Sequence, residues 1–260
     1  MSNLQALIFD VDGTLADTER DGHRVAFNQA FAEAGLDWDW SVELYQELLA
    51  IAGGKERIKA YKDQYRPDFE PPEELHTWIA RLHKTKTTYY RQLVVEGKIP
   101  LRPGVQRLIE AARNQGIRLA IATTSSPENV TALLETNLAP ESPSWFEVIG
   151  AGDIVPHKKP APDIYDYVLK KMDLQPERCL AIEDSFQGLQ AATQAGIKTV
   201  ITFNGYTQND DFSGAALVLD QLGTPEQPFH VRFGYSGQAT YFDVALAQSL
   251  LNPNSAMESK

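Results

Sequence analysis

The chain has 260 residues, 43% hydrophobic and 23% charged, which suits a folded protein with a buried core and excludes a disordered chain. A formal net charge of −11 argues against nucleic acid and against an anionic membrane surface as partners, and it demands local positive charge at any site that takes an anion. The single cysteine, Cys179, excludes an intrachain disulfide and a thiolate metal cage, and in its apolar stretch it reads as a small core residue.

Residues 4–9 form a short apolar run of strand formers that stops abruptly at Asp10-Val11-Asp12-Gly13-Thr14. From about residue 17 to residue 97 the patterns are helical only, at 19–34, 41–50, 55–65 and 73–94. Gly35, Gly53-Gly54, Pro67 and Pro71-Pro72 punctuate them. A helical block of this size directly after a first strand reads as an inserted domain. An alternation then begins. A helix at 104–114 precedes a strand at 118–122, which ends in Thr123-Thr124-Ser125-Ser126. The next helix, 127–137, has Ser126 as its N-cap and Pro127 in its first turn. A short strand at 146–149 leads to His157-Lys158-Lys159-Pro160, followed by a helix at 162–172. A strand at 179–182 ends in Glu183-Asp184-Ser185; the helix after it, 185–195, closes at Gly196 before a strand at 198–201.

Unbroken apolar runs of this length suit strands buried on both faces of a parallel sheet. The expected fold is therefore α/β: a doubly wound parallel-sheet core from residues 1–16 and 97–260, with a helical domain at 17–96. After Gly223 the pattern weakens; a terminal helix is expected at 239–251, and the last residues are expected to fray. Strand formers begin at Leu4, so no signal peptide is expected, and no apolar run reaches the length of a membrane span. The expected compartment is the cytosol, or the plastid stroma had a transit peptide been removed.

In open α/β sheets, ligands bind beyond the carboxyl ends of the strands. Here those ends carry Asp10 and Asp12, then Thr123 and Ser125, then Glu183 and Asp184, with Lys159 after the short strand. Asp10 and Asp12 are two apart and can face one site, with Gly13 allowing a sharp exit. A hairpin turn would explain Asp12-Gly13 but would leave Asp10 unexplained at the end of a buried strand. Thr123 and Ser125 read equally as helix-capping hydroxyls or as phosphate ligands at a helix N-terminus. Lys158 and Lys159 read by default as a solvated pair, although Pro160 restrains the backbone of Lys159. Glu183 and Asp184 suit an acidic helix start, and equally a site for a hard cation.

The ordered set Asp10-Val-Asp12-Gly13-Thr14, Thr123, Lys159-Pro160 and Glu183-Asp184 resembles the four motifs of the haloacid dehalogenase-like (HAD) phosphatases, with the helical insertion similar to that superfamily's C1 cap. The resemblance covers residues 4 to about 205. Local sequences narrow it: Asp17-Thr-Glu19-Arg-Asp-Gly-His23, Gly53-Gly54-Lys55-Glu-Arg57-Ile58, Ala122-Thr-Thr-Ser-Ser126 and His157-Lys-Lys-Pro-Ala-Pro-Asp-Ile-Tyr165 are similar to the CbbY-type phosphatases. Those relate in sequence to β-phosphoglucomutase but hydrolyse xylulose 1,5-bisphosphate, a by-product and inhibitor of Rubisco, which implies a supporting role in carbon fixation.

The resemblance implies Asp10 as nucleophile forming an acyl phosphate and Asp12 as general acid and base. It implies Mg²⁺ on Asp10, the backbone carbonyl of Asp12 and Asp184, with Glu183 bound directly or through water. Thr123, Ser125 and Lys159 would hold phosphate oxygens. Glu19, His23, Gly54, Lys55 and Arg57 match substrate-side positions of the cap, against a plainer reading in which Glu19 and His23 are an exposed helix pair and Lys55 and Arg57 a solvated face. The expected partner is a small sugar phosphate, and a monomer is compatible with the sequence. The rival readings are a phosphosugar mutase with the same nucleophile and, from another class, a catalytically silent phosphate-binding scaffold. A dehalogenase would leave Asp12 without a role, and phosphonate cleavage would need a cap lysine such as Lys55 to form a Schiff base.

Overall fold

The computed structural model describes residues 4–51 and 53–252. The chain divides into two compact units, Thr18–Ile99 on one side and Met1–Asp17 with Pro100–Lys260 on the other. In the first, a π-helical turn at Glu19–His23 leads into α1 (Arg24–Glu33), followed by α2 (Val42–Leu48), α3 (Gly54–Tyr65) and α4 (Leu75–Val95). A single helix over 19–34 was expected; the first turn is instead wound wider. Gly22 in that turn lies against Tyr90 and Ile99, where an added Cβ would meet the Ile99 Cδ1 at 2.4 Å. Serine and glutamate caps start two of these helices: Ser41 accepts from Leu44 N, and Glu74 accepts from His76 and Thr77 N–H at 2.9 and 2.8 Å.

Rings fill the core of this unit. Trp38 meets Phe31, Tyr61 and Trp78 edge-on at 5.1–5.6 Å, and Trp40 lies 4.6 Å from Phe27. Edge and tilted contacts suit the quadrupoles of the rings and add to what their buried area already contributes.

The second unit carries helices α5 (Val105–Asn114), α6 (Pro127–Asn137), α7 (Asp163–Met172), α8 (Phe186–Gln194) and α9 (Val244–Leu251) around one sheet. Its strands are β1 (Ala6–Phe9), β2 (Arg118–Ala122), β3 (Val148–Gly150), β4 (Cys179–Glu183), β5 (Lys198–Thr202), β6 (Leu217–Leu219) and β7 (Val231–Gly234), in the order β3-β2-β1-β4-β5-β6-β7. All neighbours are parallel except β6 and β7. This is the α/β fold the alternation predicts. Ala6 and Ile8 of β1 join Ala120, Ala122, Cys179 and Ala181 against α7 and α8 on one face. Leu7 and Phe9 point the other way, and all four residues of β1 are buried. Small residues on the first face let the helices approach closely. Cys179 is buried there as a core residue, and its thiol is pushed up to about 12 by burial.

The strand and helix limits expected for this unit hold to within about two residues, apart from the tail. There β6 and β7 were not expected. The first is buried but only three residues long, too short to stand out as a pattern, and all four residues of the second are exposed on the sheet edge. The terminal helix starts at Val244 rather than at 239, because Asp243 caps it by accepting from Leu246 N at 2.7 Å. The fraying expected of the last residues falls on 253–260, outside the described residues. Among those described, no helix is long and apolar enough to cross a membrane.

Candidate active site

Chain order runs from β1 outward to β2 and β3, then returns to place β4 on the other side of β1. That reversal opens a crevice at the carboxyl ends of β1 and β4. Asp10 follows β1 directly, and its N–H donates to the Ile182 carbonyl at 3.0 Å, which extends the strand pairing to the residue bearing the carboxylate. Glu183 ends β4 and Asp184 follows it. Asp10, Glu183 and Asp184 are all buried, with one carboxylate oxygen from each within 4.8 Å of the others.

Lys159 reaches into this group from the loop after β3. Its Nζ donates to Asp10 Oδ1 at 2.7 Å, to the Ala122 carbonyl at the end of β2 at 2.9 Å, and to Glu183 Oε1 at 2.5 Å. The ammonium thus bridges the ends of β2, β1 and β4. The reading of Lys158 and Lys159 as a solvated pair fails for Lys159, whose side chain is buried, while Lys158 pairs with Asp153 at 3.0 Å. Tyr165 of α7 donates to Glu183 Oε1 at 2.5 Å from beneath.

Burial dominates the electrostatics. It pushes the Asp10 carboxyl up to about 7, with the Lys159 ammonium opposing and the Glu183 and Asp12 charges adding. Asp184 is raised well above the usual carboxylate range by burial and by the Asp10 and Glu183 charges. Lys159 is held protonated by Asp10 and Glu183, which outweigh its own burial. Fully ionised, the three carboxylates would exceed the one ammonium by two negative charges in a buried site, which is why Asp10 and Asp184 are shifted toward their protonated forms.

These residues fit a divalent cation. Oxygen donors suit a hard ion, and Glu183 Oε2 is buried with no hydrogen-bond partner among the described residues. The space around the carboxylates depends on two glycines. A Cβ on Gly188 would lie 1.9 Å from Glu183 Oε2, and one on Gly13 (φ +86°) 2.2 Å from Asp184 Oδ2. The carboxylate of Asp12 is not a member of this cluster. Its loop curls so that Gly13 N donates to Ala16 O at 2.8 Å and Leu15 N to Val11 O at 2.9 Å. The Asp12 charge is near enough to raise Asp10.

Thr123 and Ser125 are both buried beyond β2. The helix cap falls to Ser126, which accepts from Asn129 N, while Thr123 Oγ1 accepts from Ser125 N at 3.2 Å. Neither Thr123 nor Ser125 is therefore the cap of this helix.

The remaining candidates lie in the helical unit. Glu19 Oε2 accepts from Tyr45 OH at 2.5 Å, and Arg57 Nη1 donates to the same hydroxyl at 2.8 Å and pairs with Glu19 at 3.9 Å. Arg57 also binds the Leu48 and Ile51 carbonyls, so it is a buried, oriented cation rather than part of a solvated face. Lys55 is exposed, as the plainer reading has it. His23 is buried, stacked on Tyr90 at 4.1 Å, with its Nδ1 2.7 Å from the buried Lys86 Nζ. Glu19 and His23 are thus not an exposed helix pair. Gly54 lies against His83, whose Nε2 would be 2.6 Å from an added Cβ.

Three residues at or beside the core site escape the sequence reading. Tyr165 sits on the apolar face of α7, indistinguishable by pattern from a core aromatic. Arg102 and Asn204 sit beside the Asp10 loop; the strand-end rule that finds Glu183 would also have reached Asn204, two residues past β5.

A parallel sheet with acids, an ammonium and hydroxyls converging beyond its central strands defines a hydrolase of one class: the chain belongs to the haloacid dehalogenase-like hydrolases, whose family model matches residues 4–196. Within that family it is similar to proteins of the CbbY group. It is 48% identical over 225 residues to the plasmid-encoded protein CbbY of Cupriavidus necator, covering 86% of this chain and 88% of that protein. A structure of a CbbY variant from Rhodobacter sphaeroides in complex with xylulose 1,5-bisphosphate is 45% identical, with a TM-score of 0.76 over 84% of this chain and 94% of the other. A β-phosphoglucomutase from Clostridium difficile shares the fold at 20% identity, with a TM-score of 0.71 over 97% of this chain and 99% of the other.

Proposed function

We propose that this phosphatase is Mg²⁺-dependent and removes one phosphate from a sugar bisphosphate, xylulose 1,5-bisphosphate, by way of a phosphoryl group carried on Asp10. The observation that carries the reading is the buried Asp10 carboxylate, held 2.7 Å from Lys159 and grouped with Glu183 and Asp184. The substrate follows the 45% identical CbbY structure with that sugar bisphosphate bound.

In this mechanism an Asp10 carboxylate oxygen attacks phosphorus in line, and the bond from phosphorus to the sugar oxygen breaks. Asp12 gives its proton to the departing sugar oxygen. Water then attacks the acyl phosphate, Asp12 takes the water's proton, and inorganic phosphate leaves with Asp10 restored. General acid–base help of this kind supplies about 10²–10⁴-fold. Lys159 and the Thr123 and Ser125 hydroxyls hold the equatorial phosphate oxygens. Mg²⁺ on Asp10, Asp184, Glu183 and the Asp12 carbonyl would balance the buried negative charge and neutralise charge developing on the phosphoryl oxygens. Tyr165 and Lys159 orient Glu183 between them.

Residues 1–16 and 97–260 serve as the catalytic core, and the helical domain, 17–96, as a cap that selects the substrate. Within it Arg57 offers a fixed guanidinium suited to a second phosphate, and Glu19, His23, Gly54 and Lys55 complete the set.

The test is phosphate release from xylulose 1,5-bisphosphate with and without Mg²⁺, alongside ribulose 1,5-bisphosphate and β-glucose 1-phosphate. Selective, Mg²⁺-dependent release from the xylulose compound supports the reading. Conversion of β-glucose 1-phosphate to its 6-phosphate without phosphate release assigns a mutase, and no turnover of any phosphate ester assigns a silent scaffold.

A further inference from the structure

Asn204 lies just beyond β5, on the sheet edge that carries Asp10 and Asp184. Its Nδ2 donates to Asp184 Oδ2 at 2.7 Å and, at 3.5 Å, to the Gly13 carbonyl. Its Oδ1 accepts from the N–H groups of Tyr206 and Thr207 at 2.9 and 3.3 Å. Those two backbone donors decide which end of the amide is oxygen, because the flipped amide would set N–H against NH₂. The amide nitrogen therefore faces the carboxylate. The turn is closed by Asn204 N donating to Thr207 Oγ1 at 3.1 Å and by Gln208 N donating to Asn204 O at 2.9 Å.

The root of that turn is pinned by Arg102, which is 8% exposed. Its Nη1 donates to the Gly13 carbonyl and, at 2.7 Å, to that of Thr202; its Nη2 donates at 2.7 Å to those of Phe203 and Asp220. Its Nε lies 3.5 Å from Asp17 Oδ1. One planar fork thus fixes the loop that follows Asp10, the end of β5 that carries Asn204, and the end of β6. A lysine has a single donor head and cannot span these carbonyls at once.

We propose that Asn204 is a positioning residue for Asp184: its amide holds one carboxylate oxygen so that the other is presented to a divalent cation, while Arg102 keeps Asn204 and the Asp10 loop in register. This rests on the reading of Asp10, Glu183 and Asp184 as a cation site. Groups that orient a metal ligand typically contribute 10–100-fold to metal affinity.

The experiment is calorimetric titration of the full chain with Mg²⁺ for wild type, Asn204→Ala, Arg102→Lys and Asp184→Asn, with thermal unfolding and steady-state kinetics on the same samples. Asn204→Ala and Arg102→Lys are expected to weaken Mg²⁺ by about tenfold or more, with the KM for sugar bisphosphate at saturating Mg²⁺ unchanged. Asp184→Asn is expected to abolish binding. A merely structural role would lower the unfolding temperature and leave the Mg²⁺ constant where it was. Wild-type Mg²⁺ affinity in Asn204→Ala, with binding lost in Asp184→Asn, would overturn the positioning role and leave the cation site standing. A wild-type chain that binds no Mg²⁺ would overturn the cation site and this proposal with it. If Arg102→Lys does not fold, Asn204→Ala decides alone.

Discussion

Asp10, the proposed nucleophile, sits in a place that disfavours its charge. Burial lifts its carboxyl to about 7, and Lys159 offsets only part of that. Asp184 is raised as well. Between the usual carboxylate value and about 7, the folded chain without a cation keeps a proton that the unfolded chain has released. Stability from these groups is therefore present at low pH and is lost as pH rises through about 7. A divalent cation competes with those protons, so its effect has the opposite slope. The unfolding temperature gained on adding Mg²⁺ is expected to be larger near about pH 8 than near about pH 5. Scanning calorimetry at the two pH values checks this, and an equal gain at both would remove the buried carboxylates from the account. In the proposed mechanism Asp12 acts at a separate step. Asp12→Ala should lower kcat by about 10²–10⁴-fold with Mg²⁺ affinity held, since its carboxylate lies outside the buried cluster. Stopped assays of phosphate release with parallel Mg²⁺ titration separate the two effects.

At the scale of elements, the turn between β4 and α8 shows two preferences in competition. Alanine is normally better than glycine inside a helix by about 1 kcal/mol. Gly188 sits in the first turn of α8, yet a Cβ there would lie 1.9 Å from Glu183 Oε2 and 2.2 Å from its Cδ. Overpacking costs about 1–3 kcal/mol, and here it falls on a carboxylate already tied to Lys159 and Tyr165. The clash wins: Gly188→Ala should lower stability in urea unfolding and weaken Mg²⁺ together, whereas a gain in stability would mean that Glu183 moves aside at no cost. The same scale explains what was legible in the sequence. Strands β1, β2 and β4 are apolar runs with polar ends, so both the elements and the residues they aim at the site could be read. Strand β7 was hidden because the residues it presents are exposed at an edge, and the π-turn at Glu19–His23 because its spacing differs from a helix by one residue per turn. Arg57 lies beside Ile58 and four residues before Tyr61 on the buried side of α3, so helical spacing alone could have withdrawn it from the solvated face. Asn204 was missed because strand-end reasoning stopped at β4.

Across the whole molecule, an acidic chain would meet the proposed anionic substrate with positive charge held in a few fixed places. Lys159 lies among the strand ends of the sheet unit, and Arg57 is oriented by Tyr45, Glu19 and two carbonyls in the helical unit. The division of labour predicts a split. Arg57→Met should raise KM for a sugar bisphosphate more than for a sugar monophosphate, with kcat for the monophosphate retained; equal effects on both substrates would deny Arg57 a second phosphate. Bound Mg²⁺ should also act on the whole fold, adding about 2.7 kcal/mol at a hundred times its dissociation constant, and Asp184→Asn should erase that gain in urea titrations.

The central claim is that Asp10 carries the phosphoryl group, and it can be tested on the chain itself. Protein mixed with xylulose 1,5-bisphosphate and Mg²⁺ would be quenched in acid within one turnover, digested, and mapped by mass spectrometry. A phosphoryl mass increment on the peptide that begins the chain, assigned to Asp10 and missing from Asp10→Asn, is the predicted result. Turnover with no label on that peptide, or equal turnover by Asp10→Asn, would contradict it.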